Sequence, residues 1–193
     1  ASGAEPVVLG RDTSYLGVMV DDLTRNGVSE PYRMFTSRAE FRLTLRADNA
    51  DRRLTPLAIE HGVADARRRA VFASSEAALR EARAALEAAT LTPTEAARHG
   101  LPANQDGRRR SAWQFLAQPD IALDRLAAIW PELGAIDGTV RERIEIEAGY
   151  DVYLARQERD RLRLQREETL SIPADLDLAA IPGLSNELRQ KLG

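Results

Sequence analysis

The chain has 193 residues, of which 44% are hydrophobic and 30% charged, and its formal net charge is −3. This composition is typical of a soluble globular protein and excludes a disordered, fibrous or membrane-spanning chain. The sequence has no cysteine and only two histidines, so we predict neither disulfides nor a metal site, and we expect a cytoplasmic protein.

Charge is distributed unevenly along the chain. Residues 25–110 carry 16 arginines against 11 carboxylates, whereas residues 120–193 carry 10 basic side chains against 15 acidic ones. We therefore expect the two halves, with net charges of +5 and −5, to prefer different partners.

The N-terminal part of the chain predicts two short helices separated by a turn. Residues 13–26 carry apolar side chains at helical spacing and end at an Asn-Gly stop signal, and a proline favours a turn over residues 27–31. Ser37 and Glu40 have the spacing of a capping box, which predicts a helix over residues 37–46. Alternating apolar and polar residues in the same stretch favour a strand as the alternative, but we expect the helix.

Further helices are predicted in the middle of the chain, because start signals, strong helix formers and stop signals follow one another there. We expect a polar loop over residues 103–110. The helices are expected over residues 54–60 and 65–89, from a cap at Thr92, from a cap at Ser111 and from Pro119.

The C-terminal part predicts the longest helix, over residues 139–169. Its N-terminal part carries an apolar stripe and its C-terminal end is almost entirely charged. We therefore expect one half of the helix to be packed and the other half to be solvated. One proline and two glycines within residues 131–138 indicate a boundary. Short helices are expected over residues 176–180 and 185–192. The predicted fold is therefore mainly α, with two helical subdomains, residues 36–137 and 138–193.

Common catalytic motifs are absent from the sequence. Neither the dinucleotide fingerprint Gly-x-Gly-x-x-Gly, nor a phosphate-binding loop, nor the nucleophile elbow Gly-x-Ser-x-Gly occurs. We therefore expect no catalytic residue and no dinucleotide site in this chain. Asp21 and Asp22 are adjacent and point about 100° apart on a helix, which favours a solvated or helix-capping role over a paired-carboxylate site.

A cluster of arginines is the most informative feature of the sequence. On the predicted helix, Arg38, Arg42 and Arg46 share one face and could follow a phosphate backbone. Aromatic residues beside them could stack on bases. The alternative is that the arginines form ion pairs within the turn, and the spacing leaves both possibilities open. The cluster consists of Arg33, Arg38, Arg42, Arg46, Arg52 and Arg53, and the available carboxylates are Glu30, Glu40, Asp48 and Asp51.

A longer motif covers this cluster. Residues 30–43 read EPYRMFTSRAEFRL, followed by DNAD at 48–51, and shorter motifs in the same order include YLGV at 15–18 and YLARQ at 153–157. The motif series resembles the glucose-inhibited division protein A family of flavin-dependent tRNA uridine 5-carboxymethylaminomethyl modification enzymes. Three positions depart from the family pattern, namely Phe41, Val152 and Leu178, where Tyr, Gly and an aromatic residue are usual.

The resemblance implies the C-terminal helical region of a longer enzyme whose FAD and NADH sites lie in an N-terminal domain outside this sequence. Residues 1–35 would be a tail or linker from that domain, and the chain would stop before the family's last helical stretch. The implied enzyme is a cytoplasmic homodimer that works with a GTPase partner. With reduced flavin and a folate-derived one-carbon unit, it modifies carbon 5 of the tRNA wobble uridine.

The resemblance also implies site residues. Arg33 and Arg42, and with them Arg38 and Arg46, are expected to contact tRNA phosphates or to shape the edge of the flavin site. Glu187 is expected to contact the GTPase, and a capping role beside Ser185 is its alternative. The alternative function for the whole chain is a non-catalytic helical module that binds nucleic acid or acts as a scaffold.

Overall fold

The computed structural model describes residues 7–25 and 27–168, together with the isolated positions 183, 185 and 187. These residues are mainly helical, which confirms the predicted fold class. Contacts divide the chain into two compact units after Glu158. The α-helices of the described residues are α1 (Tyr15–Arg25), α2 (Ala50–Glu60), α3 (Ala66–Ala88), α4 (Pro93–Arg98), α5 (Ala112–Leu116), α6 (Leu123–Ala127) and α7 (Gly138–Glu168).

The hydrophobic core of the first unit lies between α3, α5, α6 and the N-terminal half of α7. Its largest side chains are withdrawn from solvent, and a 3-10 helix at Pro131–Ala135 adds one of them. Burial of such side chains stabilises the fold by about 1.5–3 kcal/mol each. The fully buried large residues of this core are Leu86, Phe115, Leu123, Leu126, Leu133 and Ile144.

Two short strands link α3 to α5. β1 (Thr90–Leu91) pairs antiparallel with β2 (Arg110–Ser111), with Thr90 opposite Ser111. Strands of two residues show no alternation in the sequence, so this ladder was not predicted. Each strand leads into a capping box, which confirms the predicted helix starts at Thr92 and Ser111.

Helix α2 begins four residues earlier than predicted, at Ala50 rather than residue 54. The side chain of Asn49 supports this start, because its amide donates to the Thr44 carbonyl at 2.9 Å and its oxygen accepts from Arg53 Nε at 2.9 Å. Helix α6 begins at Leu123, later than the Pro119 start that the sequence predicted. Asp120 lies between them at a φ of 69°, which interrupts a helix.

The predicted helix over residues 37–46 is wrong. The segment instead contains a 3-10 helix at Thr36–Arg38 and then turns, with neither the expected helix nor the alternative strand. No side chain caps the 3-10 helix, and Glu40 bonds to Arg11 rather than to the backbone. Tertiary contacts have therefore overridden the local capping signal.

Helix α7 confirms the expectation of a packed half and a solvated half. Ile144 and Ala148 are fully buried, whereas Val152 is 69% exposed. The predicted subdomain boundary between residues 137 and 138 remains a prediction. The core nevertheless continues across that position, because Leu133 and Ile144 belong to one cluster.

Two further observations concern the described residues alone. No helix among them combines the length and apolar character that a membrane crossing requires. Within the described ranges, no group of three or more metal-ligating side chains is placed so that it could hold a metal ion. The helix predicted over residues 176–180 lies outside those ranges, as does most of the helix predicted over 185–192.

The capping box of α4 yields a stability prediction. Thr92→Ala removes the hydroxyl that accepts from the Glu95 amide and should lower the free energy of unfolding by about 1 kcal/mol. Urea denaturation measures the change. The control is Thr94→Ala, at an exposed position two residues after the cap in the first turn of α4, and it should leave stability almost unchanged. Equal losses in the two variants would contradict the capping role.

Candidate functional site

Arg11 joins three carboxylates at the start of the chain. Its guanidinium donates to Asp22 Oδ1 at 2.6 Å, to Asp21 Oδ2 at 3.0 Å and to Glu40 Oε1 at 2.8 Å. It also donates to the backbone carbonyl of Arg38 at 3.0 Å. Residues far apart in the sequence therefore meet at one planar cation, which suits the fixed donor geometry of arginine.

Asp22 is the buried centre of this network, with 7% of its surface exposed. Besides the Arg11 bond, it accepts from the Tyr32 hydroxyl at 2.8 Å and from Arg38 Nη1 at 3.3 Å. The expected solvated or helix-capping role of this carboxylate is therefore wrong. A buried carboxylate needs donors on all sides, and these three side chains supply them.

The network shifts both of its central groups toward the charged form. Hydrogen bonds from Arg11 and then from Tyr32 outweigh burial and lower the pKa of Asp22. Partial burial by itself lowers the pKa of Arg11, but the bonds to Asp22, Glu40 and Asp21 outweigh it and raise that pKa overall. Arg11 and Asp22 are thus held as an ion pair.

Close backbone packing fixes the turn that carries Arg11. The carbonyl of Gly10 accepts from the amides of Thr13 and Ser14 at the start of α1. Gly17 lies directly against this turn, where an added Cβ would come within 2.1 Å of the Gly10 carbonyl oxygen. Only glycine allows that approach, so the turn that carries Arg11 is held closely against α1.

The segment after α1 forms an exposed cavity of about 870 Å³. Its Tyr32 ring is anchored by the bond to Asp22 and by the Arg38 guanidinium, 4.9 Å from the ring centroid. Arg33 lies over the exposed ring of Phe35 at 5.1 Å and forms no ion pair among the described residues. Guanidinium and aromatic surfaces are therefore presented together on an anchored loop.

The arginine row predicted from the sequence is divided between two environments. Arg42 is exposed and has no ion pair within the described ranges. Arg46 turns inward, pairs with Asp48 at 3.0 Å, donates to the Leu43 carbonyl and lies 4.3 Å from the Tyr150 ring centroid. Because no helix forms here, the arginines at 38, 42 and 46 do not share one face, and that prediction is wrong.

The ion-pair alternative holds for part of the cluster, and the phosphate contact stays a prediction. Asp48 pairs with Arg46 as the ion-pair alternative expected, whereas Asp51 pairs with Arg143 at 3.0 Å and Glu40 with Arg11. Two of these three carboxylates are therefore taken by arginines outside the cluster. This leaves Arg42 without a carboxylate in the described part of the chain.

Two residues of this site were missed by the sequence analysis. Gln157 on α7 accepts from the Thr44 hydroxyl at 2.6 Å and donates to the Glu40 carbonyl at 3.1 Å, so it fastens the 40–44 turns to the helix. Arg11 is the other. Arg11 is the only basic residue before Arg25, and Asp21 and Asp22 lie nearby in the sequence. A lone arginine close to two carboxylates is a pattern from which these ion pairs could have been predicted.

Glu187 occupies an isolated described position. It is exposed and helical, and its predicted partner contact stays a prediction.

A dinucleotide cofactor does not fit the described residues. Such cofactors lie on a glycine turn between a parallel strand and a helix, whereas β1 and β2 are two residues long and antiparallel. No step through a flavin is therefore assigned to these residues.

Comparisons with known proteins agree with this architecture. A family model described as "tRNA modifying enzyme MnmG/GidA C-terminal helical domain" matches residues 66–158. The tRNA uridine 5-carboxymethylaminomethyl modification enzyme MnmG of Granulibacter bethesdensis is 44% identical over 100% of the chain, and that of Chloroflexus aurantiacus is 46% identical over 98%. The chain spans about 30% of the length of these curated relatives.

A solved structure supports the same assignment. The crystal structure of Aquifex aeolicus GidA, form II, aligns with a TM-score of 0.74 and 34% identity, and covers 98% of this chain and 30% of its own. The helical fold and these matches define a C-terminal helical domain of the kind found in a tRNA-modifying enzyme. The chain belongs to the MnmG/GidA family.

The lowered pKa of Asp22 yields a pH prediction. Above its ordinary pKa of about 3.9, the carboxylate is charged in both states and the stabilisation is fully present. As the pH falls through the lower folded-state pKa, the unfolded state binds the proton first and the stabilisation is lost. The stability advantage of the wild type over Asp22→Asn should therefore shrink between about pH 5 and pH 3.

Chemical denaturation at a series of pH values measures this difference. Asp120→Asn is the control, because Asp120 is exposed and its positive φ suits asparagine as well. Its difference from the wild type should not change with pH. If the Asp22→Asn difference is likewise flat, the network does not hold Asp22 ionised.

Proposed function

We propose that this chain is the C-terminal helical part of a tRNA uridine 5-carboxymethylaminomethyl modification enzyme, and that it contacts tRNA through residues 27–42. The family and the names of the relatives support the activity. One observation carries the tRNA contact. Arg33 and Arg42 are exposed, without a carboxylate among the described residues, on a segment that the Arg11–Asp22 pair anchors.

The chemistry of that segment suits a nucleic acid. A guanidinium binds phosphate oxygens through two parallel donors, and an unpaired one has no internal bond to give up. Phe35, beside Arg33, offers an exposed ring on which an unstacked base can lie. Residues 25–110 carry the positive half of the chain's charge, which favours approach of a polyanion.

The proposed enzyme modifies carbon 5 of the wobble uridine, and its flavin and NADH are bound outside this chain. The chain itself supplies binding surface and no catalytic residue. Arg33 and Arg42, together with Arg38, have a second candidate role at the edge of the flavin site, because the bonds of Tyr32 and Arg38 to Asp22 anchor the segment that carries them. The whole enzyme is proposed to be a cytoplasmic homodimer.

The GTPase partner is assigned to the acidic C-terminal half. Residues 120–193 carry a net charge of −5, which disfavours tRNA, a polyanion, more than it disfavours a protein partner. Glu187, exposed in this half, is the proposed contact residue.

Replacing Arg42 tests the tRNA contact. In the full-length enzyme, Arg42→Ala should weaken tRNA binding and lower the slope of log affinity against log salt by about one, because one phosphate contact is lost. Fluorescence anisotropy titrations at several salt concentrations measure both quantities. Arg98→Ala, at an exposed position on α4, is the control and should change neither. Unchanged tRNA affinity with a fall in flavin content would assign Arg42 to the flavin site instead.

Replacing Glu187 tests the partner surface. Glu187→Lys should impair association with the GTPase while leaving tRNA affinity within about threefold, because a single exposed charge contributes little to a polyelectrolyte contact. Glu187→Gln preserves capping geometry and separates charge from helix stability. Association is measured by surface plasmon resonance. If both variants bind the GTPase normally and lose tRNA, the two surfaces are assigned the wrong way round.

A further inference from the structure

A second cleft, of about 860 Å³, lies between α2, α3 and α7 in the first compact unit. Its walls carry more positive than negative charge, since six arginines but only three carboxylates line it. The arginines are Arg46, Arg52, Arg53, Arg69, Arg80 and Arg83.

Two of these arginines serve the fold. Arg52 reaches Glu76 on α3 at 2.7 Å and Glu147 on α7 at 2.6 Å, so it holds the three helices together. Arg46 is matched by Asp48 just outside the cleft. These pairs consume two of the three lining carboxylates.

Of the other four, Arg83 pairs with Glu87 at 2.8 Å and lies 3.8 Å from Asp151, whereas the remaining three form no ion pair among the described residues. Arg53 donates to the carbonyls of Thr13 and Arg46 and to Asn49 Oδ1, and it forms no ion pair in the described part of the chain. Arg69 uses only Nε, toward the Ala64 carbonyl at 2.9 Å, and Arg80 forms no ion pair among the described residues. The charge excess of the cleft is thus concentrated on these three guanidinium groups.

The pKa of Arg53 is consistent with this excess of positive charge in the cleft. Burial, and then repulsion from Arg46, lower the pKa of Arg53. A cation that is both desolvated and repelled marks a position where an anion is favoured.

The spacing along α3 indicates the size of the anion. Arg69, Phe72, Glu76, Arg80 and Arg83 recur every three or four residues, so they lie along one face of the helix. Arg69 and Arg80 are 11 residues apart, or about 16 Å along the axis. One phosphate group cannot reach both, whereas a nucleic-acid backbone repeats its charge every few ångströms.

The same face offers aromatic surface. Phe72 is half-buried between Arg69 and Arg80, and Arg83 is held 4.2 Å above the centroid of the Trp113 ring. Aromatic side chains beside guanidinium groups are the usual means of holding single-stranded bases.

We propose that this cleft binds an RNA backbone, with Arg69 and Arg80 as phosphate contacts at its two ends. The inference rests on the proposed function, under which the RNA is the tRNA substrate, and it adds a surface distinct from residues 27–42. Arg53 supplies fixed positive potential between the two contacts. Arg52 keeps the cleft open by bridging its walls.

The test compares two charge-matched double variants of the full-length enzyme by tRNA anisotropy. Arg69→Gln with Arg80→Gln should weaken tRNA binding about tenfold and lower the salt slope by about 1.5, because two phosphate contacts are lost. Arg67→Gln with Arg98→Gln removes the same charge from exposed positions that do not line the cleft. That control should stay within twofold of the wild type, and all proteins should melt at similar temperatures.

Every other outcome contradicts either the proposed function or the proposal for the cleft. If the wild type itself fails to bind tRNA, the proposed function fails. If the wild type binds and the two double variants weaken equally, the effect is one of overall charge and the cleft proposal is overturned. It is also overturned if tRNA affinity is unchanged while 10 mM inorganic phosphate, about the concentration a weak anion site needs, raises the melting temperature of the wild type and not of the cleft variant. Loss of GTPase affinity alone would overturn it in favour of an acidic protein surface.

Discussion

The anchoring of one guanidinium among three carboxylates governs the N-terminal part of this structure. Arg11 forms ion pairs with Asp21, Asp22 and Glu40 together, and Asp22 is buried. Removing the cation would leave a buried charge facing two others, which costs far more than the pair contributes when intact. The turn before α1, the helix itself and residues 32–40 are therefore held in one arrangement. Arg33 is exposed on the surface of these anchored residues.

The parts of the fold that the sequence predicted are those whose signals lie within a few residues. The capping boxes at Thr92 and Ser111 and the long helix α3 depend on neighbours along the chain, and they were predicted correctly. Residues 37–46 carry an equally good capping signal, yet Glu40 is bound by Arg11, 29 residues away, and its carbonyl by Gln157, 117 residues away. A local pattern cannot report competition from such distant partners.

The same limit explains the candidate site. Arg33, Arg42 and Arg46 look alike in the sequence, but their surroundings separate them. Arg46 has Asp48 two residues away and the Tyr150 ring beneath it, so it is consumed by the fold. Arg42 has Glu40 at the same sequence distance, but Arg11 occupies that carboxylate. Which arginines remain without an ion pair therefore depends on which cation binds each carboxylate, and only the structure shows this.

The cleft between α2, α3 and α7 likewise contains both ion-paired arginines and arginines without an ion pair among the described residues. Arg52 bridges Glu76 and Glu147, and Arg143 ties α7 to Asp51, so the helices are fixed by pairs in which both charges are satisfied. A guanidinium bound in this way is unavailable to a ligand. It does, however, hold its neighbours at set positions, and an anion then meets groups that need no reorganisation. At each surface, the paired arginines fix the surrounding elements, and the arginines without an ion pair in the described part of the chain are the ones proposed to bind an anion. For this reason a chain with a net charge of −3 can still present exposed arginines that have no carboxylate partner among the described residues.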